Sequence, residues 1–178
     1  MTRPATSSGA IAPSRHALEQ FLSTYKAEHA TTLKVLRAFP PEESEFRPHE
    51  RSNSARMLAW TFVIEERMML TAVRNQQVIG SGGGFPQPPD SWDAIIGMFE
   101  AQHEELVREL EQATEATGEG VVKFYTGPKQ VGDYRTMDFL WFLLHDQIHH
   151  RGQLSVYVRM AGGRVPSIYG PTADEPWN

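Results

Sequence analysis

Four long stretches of helix-forming sequence, separated by breaks rich in proline and glycine, constrain the fold of this chain more than any other feature. The breaks lie at Pro40 and Pro41, at residues 80–90, at residues 117–135, and from Gly162 onward. Each stretch between them runs for about 20 to 27 residues with apolar side chains at helical spacing. This pattern predicts an all-α protein whose simplest packing is a four-helix bundle, with a helical domain of other connectivity as the alternative.

Capping residues and flanking composition set the expected domain boundaries. The residues expected to cap the four helices are Ser14, then Asn53 or Ser54, then Asp90 with Ser91, then Thr136. Residues 1–13, which are small and polar with two prolines, are expected to form a flexible tail, and residues 14–178 a single bundle domain. Residues 121–125 fit a short strand or an extended loop, although a lone strand cannot form a sheet.

The absence of cysteine from all 178 residues excludes several classes of site. Disulfides, thiolate nucleophiles, cysteine-ligated zinc and iron–sulfur clusters are all ruled out. A bound metal ion would therefore need histidine, carboxylate or water ligands. Covalent catalysis would need a hydroxyl, an amine or a carboxylate as its nucleophile.

Charge and hydropathy limit the partners that can be expected. The net charge is 17 − 22 = −5 and no run of basic residues stands out, which argues against a nucleic-acid partner. The longest near-continuous apolar stretch, residues 137–144, is far shorter than the about 20 residues that a membrane-spanning helix needs. Because the N-terminus also has no secretory signal pattern, the chain is expected to be soluble and cytoplasmic.

Helical periodicity places titratable side chains on the otherwise apolar faces of all four stretches. These side chains are His29 in the first stretch, Glu65 in the second, His103 in the third, and Asp146 with His150 in the fourth. Asp146 and His150 are four residues apart and therefore share one helix face. A buried charge without a partner is costly, so these groups are expected to meet one another in the core.

The same periodicity assigns the remaining side chains of the second and fourth stretches. Glu66 and Arg151 are predicted to face solvent, and Gln153 and Met160 to face the core. His149 is predicted to lie on the flank of the fourth helix.

Two interpretations of the inward-facing polar groups remain open. They could form a buried network of hydrogen bonds and ion pairs, in which Glu65 pairs with a histidine. Alternatively they could form a metal centre, because an i, i+4 pair of ligands with a carboxylate from a facing helix is how bundle cores hold divalent metals. On that interpretation the metal ligands are His150, Asp146 and Glu65.

The residues around this pair resemble a known family. The segment from His149 to Leu154, HHRGQL, following Asp146, resembles the C-terminal signature of the DinB/YfiT-like family. Residues 154–176, LSVYVRMAGGRVPSIYGPTADEP, are similar to the end of one branch of that family, and residues 46–60, FRPHERSNSARMLAW, to its entry into helix two. The resemblance covers most of the chain from about Pro40 onward.

The resemblance implies a four-helix bundle that binds a divalent metal, often nickel or zinc, through three histidines. Two of these lie four residues apart on helix four and the third lies on helix two. The last helix-four ligand corresponds to His150 and the preceding one to Asp146, but the helix-two histidine corresponds to Thr61. A threonine hydroxyl is a poor ligand for these metals. Glu65 could replace it, His29 or His103 could complete the shell, or the site could be metal-free.

The resemblance also implies a reaction class. Family members include transferases and isomerases that use a low-molecular-weight thiol as cosubstrate, which suits a chain without cysteine of its own. His149 or His103 could transfer a proton in such a reaction, and hydrolysis of a small-molecule substrate is the second possibility. The alternative function is a non-catalytic, stress-related bundle with a degenerate metal site, which the loss of a ligand at Thr61 would favour. A homodimer is expected in either case.

Overall fold

The computed structural model describes residues 13–79 and 86–177, and most of them are helical. The elements are α1 (Pro13–Ala38), α2 (Ala55–Val73), α3 (Trp92–Gln112), α4 (Glu115–Gly118), β1 (Val121–Gly127), β2 (Gln130–Arg135) and α5 (Thr136–Met160), with a 3-10 turn at Pro41–Glu43. The four long helices match the four predicted stretches, so the all-α prediction is confirmed. Of the predicted tail, residues 1–13, only Pro13 is described, and it begins α1.

The four long helices pack as a bundle around one core. Helix α2 packs between α3 and α5, and α1 packs on the same two helices from the opposite side. Fully buried side chains come from all four helices: Phe21 and Leu36, Phe62 and Met69, Phe99 and Leu106, Phe139 and Leu140. Within the described ranges, no helix is both long and apolar enough to span a bilayer.

Two of the predicted caps fix the starts of α2 and α3. The Ser54 hydroxyl accepts a hydrogen bond from the Met57 amide at 3.3 Å, and Ser91 accepts one from Ala94 at 3.2 Å. Such caps satisfy amides that have no partner inside the helix and are worth about 1 kcal/mol each. The start of α2 therefore follows directly from the sequence, and with it the placement of the polar residues further along that helix.

The segment predicted as a strand or loop is the first strand of a β-hairpin. Strands β1 and β2 pair antiparallel, with Val122 opposite Tyr134 and Phe124 opposite Gly132. The ring of Phe124 packs on Phe139 of α5, with centroids 5.0 Å apart. The sequence did not reveal β2 because it contains Gly132 and an adjacent aspartate, which are uncommon in strands. The hairpin covers the N-terminal end of α5.

Four of the predicted side-chain orientations are wrong. Glu66 and Arg151 were expected in solvent but are buried, whereas Met160 and Gln153 were expected in the core but are exposed. Helix α2 packs on α3 and α5 and also contacts α1 across the core. Most of its circumference is therefore buried, including two consecutive glutamates. Arg151 is buried because the C-terminal segment folds back over it.

Two glycines in the C-terminal region have opposite structural roles. Gly152 lies on the exposed side of α5, where an added Cβ would meet nothing within 4 Å, so it does not serve close helix packing. At Gly163 an added Cβ would lie 2.8 Å from the Ala38 carbonyl oxygen and 2.9 Å from Val158 Cγ1. The chain therefore passes so close to α1 after leaving α5 that a side chain at position 163 would force neighbouring atoms to move.

This contrast predicts stability changes of opposite sign. Gly152→Ala is expected to raise the free energy of unfolding by roughly 0.5–1 kcal/mol, because alanine favours helix. Gly163→Ala is expected to lower it by about 1–3 kcal/mol, because backbone atoms must move to make room. Urea denaturation of the two variants beside the wild type checks both values. A shift in the same direction for both variants would contradict this packing.

Candidate metal centre

Three of the predicted site residues come together between α2 and α5. Glu65 projects from α2, and Asp146 and His150 project from successive turns of α5; each offers one ligand atom, and these atoms lie within 4.8 Å of one another. Glu65 Oε1 is 3.0 Å from His150 Nδ1, and Asp146 Oδ1 is 4.0 Å from His150 Nε2. We call this group the α2–α5 cluster.

The Glu65 carboxylate is the most constrained member of the α2–α5 cluster. Its side chain is 2% exposed, and among the described residues its Oε2 atom has no hydrogen-bond partner. Burial raises the pKa of Glu65 well above its usual value, and the nearby Asp146 carboxyl raises it further. A buried carboxylate needs partners for both of its oxygens, and the described residues provide an ionised Glu65 with a partner for one of them.

The opposite side of the α2–α5 cluster is open to solvent. The Asp146 side chain is 39% exposed and that of His150 is 20% exposed, in contrast to Glu65. The Phe62 ring contacts the His150 imidazole edge to face, with centroids 6.4 Å apart, and closes the inner side. The cluster thus has a buried carboxylate at its base and two ligand-type side chains at its mouth.

Thr61 lies one turn before Glu65 on α2. Its hydroxyl donates a hydrogen bond to the Met57 carbonyl at 3.2 Å, so it bonds within its own helix. Threonine hydroxyls commonly bond in this way inside helices. Glu65 is therefore the α2 side chain that faces Asp146 and His150.

His29 and His103, considered above as further ligands, do not join the α2–α5 cluster. The structure places them with Glu66 in a second cluster, in which one ligand atom from each residue lies within 4.8 Å of the others. His29 Nδ1 is 3.1 Å from Glu66 Oε1, and the Tyr25 hydroxyl donates to the same oxygen at 2.8 Å. The rings of His29 and His103 are stacked with centroids 3.6 Å apart.

Burial controls the protonation of this second cluster. It lowers the pKa of His29 to about 3, with His103 and then Arg37 adding to the effect. It also lowers the pKa of His103 to about 4, with Lys26 adding to that effect. Both imidazoles are therefore neutral at pH 7. Burial also raises the pKa of Glu66 well above its usual value, although the hydrogen bond from Tyr25 partly offsets that rise. The sequence signal for this cluster was the pair of consecutive glutamates in a helix whose other charged residues are two arginines.

His149, the second predicted acid–base residue, is exposed beside the mouth of the α2–α5 cluster. Its Nε2 atom lies 2.8 Å from Gln153 Nε2, and its ring centroid is 5.5 Å from that of His150. Of the two histidines predicted to move a proton, the structure thus places His149 next to the α2–α5 cluster and His103 in the second cluster.

A groove of about 430 Å³ lies between the start of α2 and the C-terminal half of α5. It is lined by seven uncharged residues: Pro48, Ser52, Asn53, Leu58, Gln153, Val156 and Tyr157. Gln153 lies about one turn beyond His150 on α5 and contacts His149, so the groove begins about one helical turn from the α2–α5 cluster. Its mixed apolar and amide lining is typical of small-molecule sites.

Comparisons with known proteins agree with this architecture. The family model described as the DinB family matches residues 13–177. The Bacillus subtilis (strain 168) protein YrdA is 26% identical over 159 residues, which are 89% of this chain and 91% of that protein.

Two crystal structures share the fold. A DinB-like protein from Bacillus cereus ATCC 10987 has a TM-score of 0.69 at 24% identity, over 85% of this chain and 97% of that chain. The DinB-like protein YjoA from Bacillus subtilis has a TM-score of 0.65 at 19% identity, over 84% and 96% of the two chains. Since the family model spans nearly the whole sequence, this chain belongs to the DinB family.

Proposed function

We propose that the α2–α5 cluster binds a divalent metal ion, nickel or zinc, through Glu65, Asp146 and His150. The observation that carries this proposal is the unpartnered Oε2 of the buried Glu65, which lies against an i, i+4 pair of ligand-type side chains. A divalent cation at this point compensates the carboxylate charge that the protein leaves uncompensated.

The donor set and its spacing fit such an ion. Imidazole and carboxylate groups both ligate zinc at about 2.0–2.2 Å, so two ligands of one ion lie at most about 4.4 Å apart. The ligand atoms of the α2–α5 cluster lie within 4.8 Å of one another, so side-chain rotations would have to bring them closer to hold one ion. Three protein ligands would leave a coordination position for a small molecule, as catalytic sites require.

The reaction we propose is a substitution in which the sulfur of a low-molecular-weight thiol bonds to a carbon of a small-molecule electrophile, while the S–H proton and the electrophile's leaving group are released. Metal-dependent hydrolysis is the second candidate. The bound ion would act as a Lewis acid and lower the pKa of a thiol or water beside it. The sulfur must come from a cosubstrate, because the chain has no cysteine. The exposed His149 can accept the released proton, and Gln153, which lines the groove, contacts its ring.

The groove supports a substrate class of small, weakly polar molecules. Its uncharged lining would bind the apolar part of an electrophile through Leu58 and Val156, and the amides of Asn53 and Gln153 would bind its polar atoms. A highly charged substrate would have no counter-charge there.

Metal binding is tested by zinc affinity at pH 7.5, measured by competition with a chromophoric chelator after the protein has been stripped of metal. We expect His150→Ala and Glu65→Gln each to weaken binding at the α2–α5 cluster by more than about tenfold, since even outer-shell partners are worth about 10- to 100-fold. His145→Ala, on the exposed side of the same helix, is the matched control and should bind like the wild type. Unchanged affinity in both ligand variants would exclude the site.

The reaction is tested on the metal-loaded protein with common bacterial thiols and a panel of electrophiles. Thiol consumption that requires the metal and falls in His149→Gln supports transferase activity. Metal-dependent hydrolysis without thiol supports the second candidate.

The alternative function is a non-catalytic, stress-related and dimeric bundle with a degenerate site. The observation in its favour is Thr61, whose hydroxyl bonds to its own helix at the position where the family has a ligand. On this alternative the wild type retains no metal. Glu65→Gln then raises thermal stability, because it removes a buried acid without removing a ligand.

A further inference from the structure

The second cluster has no role in the proposed reaction, yet it has the composition of a ligand-binding site. His29 comes from α1, Glu66 from α2 and His103 from α3, so three helices meet there. Glu66 is fully buried and His29 is 5% exposed, while His103 lies nearer the surface. Tyr25 supports the group by donating to Glu66 Oε1.

The hydrogen bonds in this cluster are incomplete. Glu66 Oε2 and His103 Nδ1 are both buried, and neither has a partner within the part of the chain that the structure describes. Buried polar atoms are nearly always paired, because an unpaired one costs about 1–3 kcal/mol. Two such atoms in one cluster of three ligand-type residues point to a ligand that both atoms bind.

A metal cation is such a ligand. The free atoms are a carboxylate oxygen of Glu66 and an imidazole nitrogen of His103, and both are atom types that ligate divalent metals. Two histidines with one glutamate are a ligand set of open zinc sites, and two histidines with one carboxylate also hold ferrous iron. The hydrogen bond from Tyr25 to Glu66 resembles the outer-shell bonds that orient metal-ligating carboxylates.

We propose that His29, Glu66 and His103 form a second divalent metal site, distinct from the α2–α5 cluster and enclosed by α1, α2 and α3. Their ligand atoms lie within 4.8 Å of one another, close to the about 4.4 Å limit for two ligands of one ion. The stacked imidazole planes must splay for both nitrogens to reach the same ion. His103, the least buried of the three, is the residue that turns.

An ion bound by these three residues would link α1, α2 and α3. Binding to the folded state alone stabilises a protein by RT ln(1 + [L]/Kd), so the ion should raise the melting temperature. The effect is separable from the first proposal, because Glu65→Gln removes a ligand of the α2–α5 cluster and leaves the second cluster intact.

The experiment uses stripped full-length protein and Co²⁺ as the probe, with stoichiometry from calorimetry and ligand type from the visible spectrum. In the Glu65→Gln background we expect one equivalent of Co²⁺ to bind and to raise the melting temperature. Adding Glu66→Gln, which keeps the size of the side chain and an acceptor for Tyr25, should abolish both effects. His103→Gln is the second ligand variant, and His145→Ala is the control that should change nothing.

The outcomes separate the two sites. Loss of one bound equivalent of Co²⁺ on adding Glu66→Gln supports the second site. This holds whether or not the Glu65→Gln protein itself binds one equivalent less than the wild type. No binding by the Glu65→Gln protein, or binding that survives both Glu66→Gln and His103→Gln, overturns it. If Glu66→Gln does not fold, the Glu65→Gln protein decides: one equivalent of Co²⁺ should broaden the ring-proton resonances of His29 and His103, and sharp resonances overturn the proposal.

Discussion

Replacing Arg151 with leucine is expected to lower the free energy of unfolding by about 3–5 kcal/mol, the usual cost of removing one partner of a buried ion pair. The Arg151 side chain is 1% exposed, and its Nη1 atom donates to the Glu28 carboxylate at 2.6 Å and to the Glu28 carbonyl at 3.2 Å. It also donates to Tyr169, whose hydroxyl donates to the same carboxylate at 2.7 Å. The arginine therefore joins α5, α1 and the C-terminal segment.

Urea denaturation measures this effect, and α5 offers a matched control. Arg159 lies on the same helix as Arg151 and pairs with Asp174 of the C-terminal segment, but it is half-exposed, so Arg159→Ala should cost no more than about 1 kcal/mol. The double variant Arg151→Leu with Glu28→Leu should recover part of the loss, because no unpaired charge then remains buried. Equal losses for Arg151→Leu and Arg159→Ala would show that the buried contacts contribute no more than the surface pair.

Replacing Thr61 with histidine is expected to strengthen metal binding at the α2–α5 cluster by at least about 10- to 100-fold. The family resemblance puts a ligand at this position, and Thr61 lies one turn from Glu65 on the same helix. A direct ligand should be worth at least as much as the outer-shell partners that contribute about this factor. Within the described residues the lost hydroxyl bonds to the Met57 carbonyl alone, so its removal costs little.

Zinc competition at pH 7.5 measures the gain, with Thr61→Val as the control for loss of the hydroxyl. Thr61→Val should bind like the wild type. If Thr61→His binds no tighter than Thr61→Val, the helix-two position does not face the metal. A parallel rise in thiol-dependent turnover would connect affinity with the proposed reaction, whereas tighter binding without turnover would favour the non-catalytic alternative.

The parts of the structure that depend on local sequence could be predicted. Proline and glycine breaks delimit the long helices, and the Ser54 cap sets where α2 starts. The grouping of Glu65 with Asp146 and His150 also followed from sequence. An i, i+4 pair defines one face of α5, and a carboxylate on the apolar stripe of a neighbouring helix must find a partner.

The separation into two clusters could not be predicted in the same way. Whether His29 and His103 point toward Glu65 or toward Glu66 depends on how α1 and α3 are rotated about their axes against α2. Periodicity within one helix leaves that rotation undetermined. The burial of Arg151 likewise depends on Tyr169 and Glu28, which are distant in sequence and meet only after the C-terminal segment has folded back.

The central claim is that Glu65, Asp146 and His150 hold a divalent metal ion. Anomalous diffraction tests it most directly, with data collected on both sides of the zinc absorption edge from crystals of the zinc-loaded protein. The account predicts an edge-dependent peak at about 2.0–2.2 Å from a ligand atom of each of these three residues. A zinc-loaded crystal with no edge-dependent peak between α2 and α5 would contradict it.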